Sequence, residues 1–245
     1  MKILLTNDDG YLSEGLMLLC KKLSEKHQVF VVAPDGQRSA TSHAVNFHKQ
    51  VAVKKLDEYC GATDAYICSG TPADCVKFAD SMLDVEFDLL VSGPNNGDNY
   101  GCAIFYSGTV AAAEEGVLCG IKSIALSRLG FGGAFGSCVE YLAENVDKLR
   151  EFCRADSLIN VNVPDLPMSK IKGVKVCRQS DSKLFDDYFV KSDEADMWMI
   201  TGDKVPVSET DSDVFYADQG YVTVTPLSVL RTDHKLLDEM KILEK

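Results

Sequence analysis

Lys2-Ile3-Leu4-Leu5-Thr6-Asn7-Asp8-Asp9-Gly10 is the stretch that decides the fold class of this chain. Its first half, residues 2–6, is a short apolar run, as expected of a strand buried inside a sheet. After the acidic pair and Gly10, apolar residues recur at the spacing of one helix face, at Leu16, Leu19, Cys20 and Leu23. A buried strand followed closely by an amphipathic helix indicates the start of a right-handed βαβ unit.

The same alternation continues through most of the chain. Apolar runs predict further strands at residues 29–33, 87–91, 121–127 and 158–163. Helical spacing and favourable helix starts predict helices at residues 71–83, 107–115 and 139–149. Glycine and asparagine dominate residues 92–101, which predicts a long loop. Strands that alternate with helices predict an α/β fold, in which helices cover both faces of a mostly parallel sheet.

The pattern changes after about residue 170. Charged runs at 186–187, 193–194 and 211–213 are interpreted as solvated surface, and they interrupt short β-branched or aromatic pieces. Residues 198–201 and 221–225 are predicted to be hairpin strands, and residues 233–243 a closing helix. We therefore expect a core over residues 1–170 and, in the same structural unit, a β-hairpin arm with a C-terminal segment over 171–245. Such an arm serves either as an oligomer contact or as a plain surface hairpin.

Composition narrows the class of protein. The 245 residues carry a formal charge of −12, which argues against stable binding to nucleic-acid backbones because such binding needs an excess of cations. No apolar run approaches the ~20 residues that span a bilayer, so no membrane partner is expected. The first residues are too soon acidic for a secretion signal, and the nine cysteines are scattered without a CxxC pair. These features predict reduced thiols and a cytoplasmic location.

Oxygen-rich side chains follow three of the predicted strands. Asn7, Asp8 and Asp9 follow the first, Ser39 follows the second, and Asn95 and Asn99 follow the third. In an open α/β sheet, ligands bind beyond the carboxyl ends of the strands, where these segments converge. Carboxylate, hydroxyl and amide oxygens suit magnesium, manganese or calcium rather than zinc or copper. The alternative for the acidic pair alone is a solvated turn or a helix cap.

Two further places have polar groups that suit a phosphate ester. Ser107, Gly108 and Thr109 stand at a predicted helix start, where free N–H groups and the helix dipole favour an anion. Ordinary capping of that helix explains the same residues about equally well. His43, close in sequence to Ser39, is a candidate for contact with the phosphate or the leaving group, whereas His48 is assigned to the surface.

Five motifs stand in order along the chain: Asn7-Asp8-Asp9-Gly10, Ala33-Pro34-Asp35 with Arg38-Ser39, Gly70-Thr71-Pro72-Ala73-Asp74-Cys75-Val76, Ser92-Gly93-Pro94-Asn95 to Asn99, and Ser107-Gly108-Thr109-Val110-Ala111-Ala112-Ala113-Glu114-Glu115-Gly116. Together they resemble the SurE (survival protein E) family of nucleotidases. Two later segments, 160–164 and 220–227, also resemble the family, and residues 180–212 resemble it least.

The resemblance implies a Rossmann-like core and hydrolysis of nucleoside 5′- and 3′-monophosphates, in some members also of short polyphosphate. It implies one divalent cation, Mg²⁺ or Mn²⁺ with Ca²⁺ also able to occupy the site, held by Asp8, Asp9, Ser39 and Asn95. Phosphate and substrate contacts are implied for Asn99, Ser107, Gly108 and Thr109, and position 43, where some relatives carry Asn, is implied to line the site. We also assign Asn7, Ser39 and His43 to substrate binding. Homodimers or homotetramers are implied, formed through the C-terminal segment and the hairpin.

Two other functions remain to be distinguished. A nucleotide sensor would bind the same ligand without turnover, and release of phosphate separates it from an enzyme. A phosphatase that forms an aspartyl-phosphate usually has its two acids in a DxD pattern, whereas here they are adjacent and followed by glycine. The residues leave open whether Asp8 accepts a proton from water or attacks phosphorus itself.

Overall fold

The computed structural model describes residues 1–192 and 196–244. Its strands are β1 (Lys2–Thr6), β2 (Gln28–Pro34), β3 (Val53–Leu56), β4 (Asp64–Cys68), β5 (Leu89–Asn96), β6 (Ser123–Arg128), β7 (Ser157–Val163), β8 (Val174–Val176), β9 (Phe185–Lys191), β10 (Trp198–Lys204) and β11 (Val222–Ser228). Its α-helices are α1 (Glu14–Leu23), α2 (Pro72–Met82), α3 (Gly108–Leu118), α4 (Gly136–Phe152), α5 (Asp213–Asp218) and α6 (His234–Met240). The alternation predicted for the first two-thirds of the chain is thereby confirmed.

Among the described residues, nine strands form one sheet in the order β3-β4-β2-β1-β5-β6-β7-β11-β8. The six strands from β4 to β7 in this order are parallel. β3 pairs antiparallel with β4, β11 pairs antiparallel with β7, and β8 runs parallel to β11. The order reverses at β1, whose two neighbours are β2 and β5. This is the position at which an open α/β sheet forms a crevice beyond its carboxyl ends.

Both faces of the sheet are covered, as the apolar character of β1 predicts. Ile3 and Leu5 belong to the core cluster that includes α1 and α4, whereas Leu4 belongs to the cluster that includes α2 and α3. Successive side chains of a strand point to opposite faces, so every residue of the run is used. Burial of each leucine side chain contributes about 1.5–3 kcal/mol to the stability of the fold, so β1 and its neighbours are a strongly stabilised part of the sheet.

The prediction of a loop over residues 92–101 is wrong for its first part. Strand β5 continues to Asn96, and its pairing with β6 is interrupted between Ser92 and Asn95 by a register shift. Pairing resumes where Asn95 lies opposite Ser127 and Asn96 opposite Arg128. Glycine and asparagine made the segment resemble a turn, but here they accommodate a bulge inside a strand.

Two predictions about the C-terminal part are also wrong. Residues 221–225 belong to β11, which joins the main sheet between β7 and β8, and the hairpin consists of β9 and β10. The pattern predicted a strand but carried no information on its partner. Asp213 is completely buried and accepts hydrogen bonds from the N–H groups of Gly101 and Ser180, so the run 211–213 is only partly solvated. Residues 193–194, from the same set of charged runs, lie outside the described residues.

The C-terminal helix and the cysteines agree with prediction. α6 and a 3-10 turn at Lys241–Leu243 lie in the segment where a closing helix was predicted. All nine cysteines are free thiols, and Cys20 and Cys75 are buried in the core. Division of the chain at residue 170 stays a prediction. No helix in residues 1–192 and 196–244 has the length and apolar character needed to cross a bilayer.

Candidate metal and phosphate site

Asp8 and Asp9 lie just beyond the carboxyl end of β1, where Gly10 turns the chain with a φ of 93°. A side chain at position 10 would also meet the Gly36 backbone at 3.0 Å, so glycine is needed for both reasons. The Asp8 carboxylate is buried and accepts a hydrogen bond from Thr109 Oγ1 at 2.6 Å. Its backbone carbonyl accepts from the Arg38 N–H at 2.7 Å, which brings the loop after β2 against the end of β1.

The start of α3 approaches Asp8 closely. A Cβ added to Gly108 would lie 3.0 Å from Asp8 Cβ and 3.2 Å from Asp8 Oδ2, so a larger residue would push the carboxylate aside. Ser107 caps the helix by accepting from the Val110 N–H, which leaves the Ser107 hydroxyl hydrogen free to donate. Thr109, in contrast, directs both its hydroxyl and its N–H toward Asp8. The first turn of α3 therefore holds the Asp8 carboxylate in place through Thr109, while Ser107 caps the helix.

Asp9 is held from the other side, by β5 and β6. Its Oδ2 atom accepts from the Asn96 N–H at 3.0 Å, and the Asn96 side-chain oxygen accepts from the Arg128 guanidinium. Arg128 is almost completely buried, contacts Asp165 at 3.1 Å and lies over the Phe135 ring. The register that resumes after the β5 bulge thus places a cation close to the second acid.

Burial makes the ionised forms of both acids unfavourable. Loss of solvent raises the pKa of Asp8 to about 6; the Thr109 hydrogen bond opposes this rise, and the charge of Asp9 adds to it. Burial also raises the pKa of Asp9, against the Asn96 N–H and the positive charge of Arg128. Two neighbouring carboxylates with raised pKa values are stabilised by a bound cation, which restores the ionised form of both.

The oxygens around the pair fit a hard divalent cation. Asp8 Oδ1 accepts from the Thr109 hydroxyl and Asp9 Oδ2 from the Asn96 N–H, and these bonds fix the orientation of the two carboxylates. Within the described part of the chain, no three side chains of His, Cys, Asp or Glu form a cluster that could bind a metal. A cation at this place therefore needs hydroxyl and amide oxygens beside the two carboxylates, which suits Mg²⁺ or Mn²⁺.

A cavity of about 430 Å³ is lined by five of the predicted residues, but not by Asp9. Asp8, Ser39, Asn95, Asn99 and Ser107 all line it, although they come from four separate segments of the chain. Other predicted residues lie behind or beside this wall rather than on it. Asn7 is buried and donates to the Gly10 carbonyl and to Ser13 Oγ, so it shapes the turn, and Gly108 and Thr109 support Asp8 as described.

Asn99 is fixed by a network of side-chain amides from the neighbouring strands. Its Nδ2 group donates to Ser127 Oγ at 2.9 Å, and its N–H donates to Asn162 Oδ1 at 3.0 Å. Its carbonyl accepts from the side chains of Asn160 and Asn162 at 2.7 and 2.9 Å. Buried polar groups that are satisfied in this way hold a loop in a single arrangement. Asn95 is tied to the same loop through its Nδ2 bond to the Gly97 carbonyl.

His43 lies away from the cavity. Its Nδ1 atom is 3.1 Å from Glu114 Oε2 and its Nε2 atom is 2.8 Å from Glu115 Oε2, so both ring nitrogens contact α3. Contact of His43 with substrate stays a prediction, and both ring nitrogens already have partners. The two glutamates were part of the motif at the start of α3, but nothing in their spacing predicted the histidine between them.

Several residues of the site were not predicted. Arg128 could have been found, because a charged residue at the end of an apolar strand marks the same sheet edge as Asp8. Lys183, Phe185 and Asp187 line the cavity from the base of the hairpin, in the segment that matched no motif. Tyr106 and Phe131 add aromatic surface. Lys183 is well exposed at the cavity and forms an ion pair with Asp186 at 2.5 Å.

The fold is that of an α/β protein, and the candidate site is an oxygen-lined cavity at the switch point of its parallel sheet. The family model "Survival protein SurE" matches residues 3–186. The "5'-nucleotidase SurE" of Clostridium beijerinckii is 38% identical over the full length of both chains, and that of Petrotoga mobilis is 38% identical over 98% of each. The crystal structure of the SurE protein from Aquifex aeolicus superposes with a TM-score of 0.87 at 34% identity and covers both chains completely. The chain belongs to the SurE family.

Proposed function

We propose that this chain is a divalent-metal-dependent phosphatase that hydrolyses nucleoside 5′- and 3′-monophosphates to nucleoside and phosphate. Its relatives in C. beijerinckii and P. mobilis are named 5′-nucleotidases. The observation that carries the proposal is the acid pair itself. Asp8 is buried and Asp9 half-buried at the sheet edge, where burial raises the pKa of both carboxyl groups and a bound cation would favour their ionised forms.

The proposed ligands of one cation are Asp8, Asp9, Ser39 and Asn95. When bound, such a cation polarises a phosphoryl oxygen and lowers the pKa of a water molecule. The substrate phosphate would be held by Asn99, which lines the cavity, and by the free hydroxyl hydrogen of Ser107. Gly108 packs directly against Asp8, and any larger residue there would press on the Asp8 carboxylate. Further phosphate contacts from the N–H groups of Gly108 and Thr109, at the positive end of the α3 dipole, stay predictions.

We assign to Asp8 the acceptance of the proton from the attacking water, because it lines the cavity next to the proposed phosphate site. Its hydrogen bond from Thr109 fixes one carboxylate oxygen and leaves the other facing the ligand. Asn7 contributes indirectly, by holding the turn at Gly10 that follows Asp8 and Asp9. A nucleophilic Asp8 predicts instead a phosphoenzyme, which rapid acid quench of a reaction with ³²P-labelled substrate would trap.

The test is release of inorganic phosphate from AMP by chelator-stripped protein. Activity should be absent in EDTA and should return with Mn²⁺ or Mg²⁺. AMP binding, measured by calorimetry in Mn²⁺ without any phosphate release, would favour a nucleotide sensor over an enzyme. The same assay with 3′-AMP and with tripolyphosphate tests the breadth of substrates that the family resemblance implies.

The assembly is also proposed. A homodimer or homotetramer is supported by the apolar side chains that the hairpin exposes, such as Phe189, Trp198 and Ile200, each at least 60% exposed. Light scattering coupled to gel filtration measures the mass, and a monomer at micromolar concentration would contradict the proposal. A cytoplasmic location remains an expectation, which fractionation of the producing cells would check.

A further inference from the structure

Ser39 lies in a long connection without helix or strand. The Ser39 segment (residues 35–52) joins β2 to β3, and at Ser39 itself the side chain is exposed and accepts only from Gln37 Nε2, at 2.9 Å, among the hydrogen bonds described. Two residues close to it, Ala40 and Ser42, have φ values of 55° and 51°, in the left-handed region that side chains other than glycine disfavour. Such a conformation persists only where the surroundings enforce it.

Three contacts enforce the conformation of this segment at its cavity end. The Arg38 N–H donates to the Asp8 carbonyl at 2.7 Å. Ser42 donates from its N–H to the Tyr106 carbonyl at 3.1 Å and from its hydroxyl to the Phe105 carbonyl at 2.7 Å. The third contact is His43, and it is the one in which a side chain of the segment reaches across to charged groups of α3.

His43 lies between two carboxylates. Glu115 is 4% exposed and contacts His43 Nε2 at 2.8 Å, and Glu114 is 16% exposed and contacts Nδ1 at 3.1 Å. Each glutamate has a second cation: Lys77 of α2 lies 2.7 Å from Glu115, and Arg231 lies 3.5 Å from Glu114. The Ser39 segment is thus bound to α2, α3 and the C-terminal segment through one charged cluster.

We propose that His43 is a positioning residue, which ties the Ser39 segment to α3 between Glu114 and Glu115 and so holds the Ser39 hydroxyl at the cation site. The proposal rests on the proposed function only in taking Ser39 as a ligand. Ser39 and His43 are four residues apart, and α3 begins at the Gly108 that packs against Asp8. Through His43, therefore, one rigid helix sets the position of both Ser39 and Asp8.

The charges around the ring support an electrostatic clamp. Hydrogen bonds to Glu114 and Glu115 raise the pKa of His43 to about 9, so the ring is cationic at neutral pH. Facing it are Glu114 and Glu115 from α3, Lys77 from α2 and Arg231 from the C-terminal segment, with Cys119 and Asp80 close behind Glu115 and Lys77. An imidazolium bound to two carboxylates holds the segment more firmly than a neutral side chain could.

The experiment compares His43→Gln and His43→Arg with His48→Gln in the full chain. His48 lies in the same segment but is exposed, so its substitution is the matched control. Calorimetry with Mn²⁺ alone measures cation affinity, and AMP hydrolysis gives kcat and KM at saturating Mn²⁺. We expect His43→Gln to weaken Mn²⁺ binding about tenfold, as for residues that orient a ligand, with kcat nearly unchanged. His43→Arg, which keeps the positive charge, should bind Mn²⁺ with an affinity within about threefold of that of the starting chain, which carries no substitution.

The proposal is overturned if His43→Gln binds Mn²⁺ within about twofold of the starting chain. It is equally overturned if Mn²⁺ affinity is kept and kcat falls about a hundredfold, because His43 would then contact the reacting atoms. Should His43→Gln fail to fold, as circular dichroism would reveal, Glu114→Gln removes the more exposed partner, and about threefold weaker Mn²⁺ binding is expected. If the starting chain binds Mn²⁺ but releases no phosphate from AMP, the proposed function is contradicted. The Mn²⁺ affinities of the variants still test the role of His43 in that case.

Discussion

Two pairs of consecutive acidic residues in this molecule have opposite surroundings: Asp8 and Asp9, which follow β1, and Glu114 and Glu115 on α3. Glu114 and Glu115 are met by three cationic side chains, and although burial opposes its charged form, the hydrogen bonds from His43 and Lys77 lower the pKa of Glu115. Within the part of the chain that the structure describes, the cation that lowers a pKa of the other pair is Arg128, which acts on Asp9, and burial nevertheless raises the pKa of both Asp8 and Asp9. The chain itself supplies the positive charges that neutralise Glu114 and Glu115, so that pair has a structural role. It does not do so for Asp8, so the Asp8–Asp9 pair is the one proposed to bind a cation.

Loss of one carboxylate from the Asp8–Asp9 pair should have the largest effect on catalysis. Asp8→Asn is expected to lower kcat/KM for AMP about a thousandfold, or ~4 kcal/mol of transition-state stabilisation, because a ligand and the proton acceptor are lost together. In EDTA at pH 7.5 the variant should be at least as stable as the starting chain, since the raised pKa of Asp8 makes its ionised form costly. Asp57→Asn, on the surface, is the control. Near-normal activity of Asp8→Asn would refute the site.

Loss of one carboxylate from the other pair should instead cost stability. Glu115→Gln leaves His43 and Lys77 without their buried partner, and we expect about 2–3 kcal/mol lower free energy of unfolding in urea, less than for a fully buried pair because Lys77 is partly exposed. Glu114→Gln, at the more exposed partner, should cost less than half as much. Equal losses of unfolding free energy in the two variants would contradict the expectation that the more buried Glu115 contributes more than Glu114.

Added metal should distinguish the two pairs directly. With Mn²⁺ at a hundredfold excess over its dissociation constant, the starting chain should gain about 2.7 kcal/mol, which for a chain of this size raises Tm by roughly 5–10 °C. Glu115→Gln, which removes a partner of His43 and so loosens the Ser39 segment, should keep about half of this rise, whereas Asp8→Asn should lose it, as measured by differential scanning calorimetry. A similar rise in all three proteins would place the cation elsewhere.

The smallest effect is expected from pH. Because the folded-state pKa of His43, about 9, is above its ordinary value of 6.5, its stabilising contribution is complete below pH 6.5 and is lost as the pH rises through 9. The starting chain should therefore lose about 1 kcal/mol more than His43→Gln between pH 6.5 and 9.5, a value reduced for the partial exposure of the ring. Urea denaturation at several pH values measures this, with His48→Gln expected to follow the starting chain. Parallel pH curves for all three would contradict the clamp.

Local signals predicted the elements well, because their physical causes are local. Thr71 caps α2 by accepting from Asp74, and Ser107 caps α3, as their types and positions indicated. Asn95 was assigned to the correct sheet edge but to a loop, since composition does not reveal that pairing with β6 resumes beyond a bulge. β11 was recognised as a strand and given the wrong partner, because strand pairing depends on segments far apart in the chain.

The amino-acid sequence by itself determined that two carboxylates follow the first buried strand, that hydroxyl and amide oxygens follow its neighbours, and that a helix begins at Ser107. These facts follow from residue type and short-range spacing. Only the tertiary structure decided which acid pair is neutralised. Arg128, His43, Lys77 and Arg231 come from four distant segments, and a countercharge acts only over a few ångströms. Two consecutive acidic residues therefore form an ion-paired anchor on α3, whereas Asp8 and Asp9 form the proposed cation site.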